Sequence, residues 1–96
     1  MTKENIDVSS NRIIGGRKFK LVFESERAKV WKHGHYLEFR EDEAGFCSFQ
    51  YKRGQICLFV EGDTYNICVN KMKTLCRRAA ANLRKQASYI EQIVTE

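Results

Sequence analysis

"AKVWKHGHYLEFRE" (residues 28–41) decides the fold. Apolar and polar residues alternate into His33-Gly34 and out again, the pattern of two strands joined by a tight turn. A two-residue turn there pairs Val30 with Leu37 and Ala28 with Phe39 on one side of the ribbon. Trp31 then meets Tyr36, and Lys29 meets Glu38, on the other. The stretch separates an apolar face from one that is aromatic and basic.

Downstream, the loop "EDEAG" (41–45) sets Phe39 against Cys47 and Leu37 against Phe49. A turn at Arg53-Gly54 pairs Tyr51 with Ile56, Phe49 with Leu58 and Cys47 with Val60; one at Gly62-Asp63 pairs Val60 with Tyr65 and Leu58 with Ile67. Upstream, the loop "ESER" (24–27) pairs Phe23 with Ala28 and Leu21 with Val30. Slipping any turn by one residue moves a whole strand's apolar set to the opposite side, so a shared apolar face argues for strands over about 17–69.

From Asn70 the period becomes helical: Met72, Leu75, Cys76, Ala79, Ala80, Leu83, Ala87, Ile90, Ile93 and Val94 form one stripe. Asn70 has the side chain of an N-cap. The spacing predicts a helix over 70–94, about 25 residues and roughly 37 Å long. Laid across the apolar face, it gives an α+β domain of two layers, an antiparallel β-meander of five to six strands packed on one long C-terminal α-helix. Such a helix overhangs a narrow sheet, leaving Ile90, Ile93 and Val94 uncovered and open to homodimerisation.

Ninety-six residues suit one domain, read as 13–96 after a polar lead-in over 1–12. With 43% hydrophobic and 30% charged residues, the chain is globular in composition. No apolar run nears the roughly 18 residues that span a bilayer, and the N-terminal stretch lacks a signal peptide's apolar core, so a cytoplasmic location is expected. Cys47, Cys57, Cys68 and Cys76 form no CxxC pair and read as reduced thiols. Cys47 and Cys76 read as small core fillers. Cys57 and Cys68 oppose each other on the outer face in the expected pairing, within disulfide reach.

Charge is unevenly placed. Residues 1–69 hold 11 basic and 10 acidic residues, residues 70–96 hold 6 and 2. The excess is Lys71, Lys73, Arg77, Arg78, Arg84 and Lys85 on the polar face of the helix, with Glu91 and Glu96 toward its C-terminus. The helix dipole disfavours cations near the N-terminal end by a few tenths of a kcal/mol each. Phosphates or an acidic protein surface would offset that cost. On the sheet, Lys18, Lys20, Lys29, Trp31, His33 and Tyr36 are expected on the outer face, with Lys20, Trp31, Tyr36 and Gln50 in one row. Aromatic rings among lysines suit single-stranded nucleic acid, bases stacking on rings and ammonium groups meeting phosphates. The same Trp31 and Tyr36 also read as a cross-strand pair that only stabilises the hairpin.

His33 and His35 flank Gly34, but a turn there splays them to opposite faces and no third ligand stands at a metal-binding spacing, so no metal or other cofactor is expected. Histidine near lysine and tyrosine admits a small nuclease as a minority reading. There is no Ser-His-Asp arrangement, P-loop or GxGxxG, and no catalytic residue is assigned. A meander closed by a long C-terminal helix is similar in outline, by element order, to the Whirly and transcriptional-coactivator single-stranded DNA binders. The expectation is a small, basic, non-enzymatic nucleic-acid-binding or regulatory protein. The alternative is an adaptor or inhibitor, of the kind phages also carry, that docks an acidic protein surface through the basic helix.

Overall fold

The computed structural model describes residues 11–94 and contains six strands and one helix. The strands are β1 (Asn11–Ile14), β2 (Arg17–Glu24), β3 (Ala28–His33), β4 (Leu37–Asp42), β5 (Cys47–Arg53) and β6 (Ile56–Gly62), followed by α1 (Tyr65–Val94). Each strand pairs antiparallel with its sequence neighbour, so the sheet runs in chain order, and α1 lies against β5 and β6. The α+β meander with a long terminal helix is what the periodicity predicts.

Both ends of the strand region differ from the expectation. The ordered sheet begins at Asn11, inside the expected lead-in, whose remaining residues 1–10 lie outside the described residues. Residues 65–69, expected as the last strand, are instead the start of α1. The reason is local. Thr64 Oγ1 accepts from the Ile67 amide at 3.2 Å and the Thr64 carbonyl from the Cys68 amide at 3.0 Å, so Thr64, not Asn70, is the N-cap. Tyr65, Cys68, Val69 and Met72 then fall at helical spacing on the core side.

The core comprises Ile14, Phe19, Trp31, Phe39, Cys47, Phe49, Cys68, Val69 and Met72, with Leu21, Leu37, Tyr51, Leu58 and Leu75 packed at its margin. Phe49 meets both Phe19 and Phe39 edge-on, at centroid separations of 5.7 and 5.5 Å. Tyr65 ties the helix start to the first strand: its hydroxyl donates to the Ile13 carbonyl and accepts from the Gly15 amide, each at 3.4 Å.

The described residues measure 65 × 26 × 20 Å, and the long dimension follows from a mismatch of lengths. Strands of six or seven residues span about 20 Å, whereas the 30 residues of α1 run about 45 Å. From Ala81 to Ile93 every residue is exposed.

Candidate functional site

The β3–β4 hairpin settles the placement of Trp31. Gly34 adopts φ 64° and opens a three-residue turn, so His33 opposes Leu37 and Trp31 opposes Phe39. Relative to the two-residue turn expected from the sequence, the register moves by three positions. An odd displacement reverses a strand's faces. Trp31 therefore points inward, 6% exposed, with its ring 6.0 Å from that of Phe39. The expectation that Trp31 looks away from the helix side is corrected, and with it the row containing Lys20, Trp31, Tyr36 and Gln50. The row that forms is Asn11, Lys20, Lys32, Glu38, Gln50 and Phe59.

His33 and Lys29 share Trp31's face by the same alternation. His33 Nδ1–H donates to the Lys18 carbonyl at 2.9 Å and its ring lies 5.6 Å from Phe19, while Lys29 pairs with Glu24 at 3.5 Å. His35 stands exposed in the turn with its ring 6.2 Å from that of Tyr36. Tyr36, 43% exposed, carries the Arg53 guanidinium over its ring at 4.7 Å. It is an open aromatic at the sheet's rim, not a partner of Trp31.

Trp31 instead has Arg12, a residue outside the expected site. The Arg12 guanidinium lies 4.7 Å from the Trp31 ring centre, 5.0 Å from Tyr65 and 5.4 Å from Phe39, and forms an ion pair with Glu41. This cation closes the sheet's inner face, reaching from β1 to Trp31 on β3 and to Phe39 and Glu41 on β4. Only the alternation of "NRII" hinted at it, since the pairing of Arg12 with Phe19 turns its side chain inward. The Trp31 Nε1–H has no hydrogen-bond partner among the described residues.

Lys18, Lys20 and Lys32 stand exposed on the outer face, on β2 and β3. Toward β6 the same face turns acidic: Glu38, Asp42 and Glu61, with Arg40, border a hollow of about 390 Å³. The outer face thus has a basic half and an acidic half.

All six helix cations are exposed, and helical spacing sorts them into two rows flanking the apolar stripe. Lys71, Arg78 and Lys85 recur every seven residues on one side; Lys73, Arg77 and Arg84 run along the other. Among the described residues no ion pair involves either row. Lys71 Nζ donates to the Glu61 carbonyl at 3.0 Å. Arg17, which the sequence reading left aside, joins Lys73 and Arg77 around a cleft of about 350 Å³ that no carboxylate lines.

All four cysteines are free thiols. Cys57 is exposed on β6 and Cys68 is fully buried in α1, so the expected Cys57–Cys68 opposition does not form, because residue 68 is helical. Burial pushes the thiols of Cys68 and Cys76 above the usual range. Cys47 rises to about 11, through burial first and the Glu41 carboxylate second. Cys76, expected as core filler, is classed with the exposed thiols and borders the groove where α1 leaves the sheet.

No protein-family model, curated protein or solved structure matches the chain. No helix among the described residues is long and apolar enough to cross a membrane.

Proposed function

We propose that the protein is a non-enzymatic, cytoplasmic nucleic-acid-binding protein whose contacts are made chiefly to phosphates by the cationic rows of α1. One observation carries this reading: two rows of exposed cations flank the helix with no ion pair to either among the described residues. Like charges so placed repel one another, and a polyanion relieves that repulsion; with the helix beginning at Tyr65, the cations lie beyond its first turn and the dipole adds little. With Trp31 in the core, base stacking has lost its main platform. Binding led by phosphates is insensitive to sequence and steeply salt-dependent.

The test is fluorescence anisotropy of a labelled oligonucleotide across a salt series. Each cation that meets a phosphate adds about one to the slope of log K against log salt. The double variant Arg78→Gln/Lys85→Gln should lower that slope by about two, while Trp31→Phe leaves it unchanged. An unaltered slope, or no binding at low salt, removes the reading.

A second reading, an adaptor docking an acidic protein surface, draws on the exposed Leu83, Ile90 and Ile93 of the same helix. Aliphatic side chains contribute little to a phosphate contact and much to a protein interface.

A further inference from the structure

From the margin of the sheet outward, α1 carries Cys76, Ala80, Leu83, Ala87 and Ile90, separated by alternating steps of four and three residues. That is the spacing of one helix packing along another, with an average period of 3.5. Its near end borders the sheet, but among the described residues the outer part from Leu83 onward stands open. Leu83 and Ile90 are 45% and 59% exposed, and the freestanding Ala81–Ile93 stretch, about 20 Å long, is near the length at which an isolated helix is marginal in water.

We infer that the seam is covered by α1 of a second copy of this chain, running antiparallel about a two-fold axis between Arg84 and Gln86. Three observations select that occupant.

The first is size. An antiparallel pair sets Ala80 against Ile90 of the second copy and Leu83 against Ala87, so every layer joins a small side chain to a large one. A parallel pair instead sets Ala80 on Ala80 and Ala87 on Ala87, so that every second layer is left underfilled.

The second is charge. The positions flanking the seam on one side are Arg77, Arg84 and Glu91. Antiparallel packing brings Glu91 of each copy to Arg77 of the other, twice per dimer by symmetry. The same symmetry sets Arg84 beside Arg84 at the axis, one like-charge contact against two ion pairs, whereas parallel packing sets Arg84 and Glu91 beside the uncharged Ala79 and Gln86 of the second copy and forms neither ion pair.

The third is a seat for the incoming helix end. Where α1 lifts from the sheet there is a groove of about 620 Å³ whose floor is Leu37, Tyr51, Ile56 and Leu58 and whose wall includes Ala79 and Leu83. Arg17, His33 and His35 stand at its rim. The end of the second helix arrives there with Ile90 and Ile93 to fill the groove and Glu91 to meet the basic rim. The row of Lys71, Arg78 and Lys85 stays outside the pair, so this inference does not depend on the proposed phosphate contacts.

The experiment is sedimentation equilibrium on the full chain under reducing conditions, with Trp31 emission as an independent check of the sheet. The unaltered chain should give twice the 11.2 kDa monomer mass. Leu83→Asp and Ile90→Asp should each give the monomer mass with Trp31 emission unchanged. Arg77→Glu and Glu91→Arg should each raise the dissociation constant about tenfold, and the double exchange should bring it back. A monomer mass for the unaltered chain at its highest soluble concentration overturns the inference, and that is also the result if a different protein covers the seam. A dimer that survives both aspartates overturns it, as does failure of the double exchange to rescue.

Discussion

The guanidinium of Arg12 sits 4.7 Å from the centre of the Trp31 ring. A four-residue edge strand thereby closes the sheet's inner face with a cation, its charge met by Glu41 and its flat surface by three aromatic rings. Removing it exposes the indole and leaves the carboxylate without its partner. Arg12→Ala should cost about 1–2 kcal/mol in urea denaturation and shift Trp31 emission to the red. Arg12→Lys should recover only part of that loss, since an ammonium cannot lie flat on the rings.

Gly62 is the point of closest approach between sheet and helix. A Cβ built there comes within 2.6 Å of the Cys68 nitrogen and 2.9 Å of its Cα, both backbone atoms that cannot turn aside. Gly62→Ala should therefore push the first turn of α1 off β6. The expected loss is about 3 kcal/mol, at the upper end for overpacking, read as a lower urea midpoint.

Two residues compete on paper for the role of helix cap, and substitution separates them by sign. Thr64→Ala removes the acceptor of the Ile67 amide and should cost about 1 kcal/mol. Asn70 lies one turn inside the helix and is exposed, so Asn70→Ala should be neutral or stabilising by about 0.5 kcal/mol. Thermal melts of the two variants decide it.

The raised thiol of Cys47 links stability to alkaline pH. The folded state holds the proton more tightly than the unfolded chain, whose thiol has the ordinary value of 9.0, and the folded value is about 11. Its contribution is thus whole below pH 9 and lost as pH rises through about 11. Melting temperatures across that window should fall more steeply for the natural chain than for Cys47→Ala. At neutral pH the exposed Cys57 should react with a thiol reagent well before the buried Cys47 and Cys68 do.

The meander and its terminal helix were legible because both rest on hydrophobic period, and long periodic segments override errors at single turns. Leu37, Phe39, Phe49, Tyr51 and Leu58 reach the inner face even though two of the hairpins pair two positions away from expectation, since an even displacement preserves the face. Trp31 was lost to an odd displacement. "HGH" suits a turn of two residues or of three, and only the packing of Trp31 against Phe39 and Arg12 discriminates between them. On β2 a second odd change cancelled the first: the turn after Glu24 pairs two positions away from expectation and a one-residue shift between Phe23 and Leu21 takes one back, so Leu21 meets Trp31 and still faces the core while Lys18 and Lys20 still face out. That bulge between Leu21 and Phe23 breaks the alternation and leaves Phe23 exposed opposite Val30, against expectation. The helix start was hidden because "TYNICV" satisfies both periods. The basic residues of α1 were legible as a group, whereas their division into two rows needed the helix phase set by Cys68, Val69 and Met72.

Chain-order pairing also bears on how the molecule forms. Every hairpin closes a loop of only two to four residues, so each strand can add to its predecessor at little entropic cost, and topologies built from neighbours fold quickly. Among the hydrogen bonds of the described residues, the most distant closure is that of Tyr65 onto the carbonyl of Ile13, 52 positions away. Docking of that ring on the first strand is therefore the step expected to set the folding rate, with substitutions at Tyr65 slowing the final closure more than those within any hairpin.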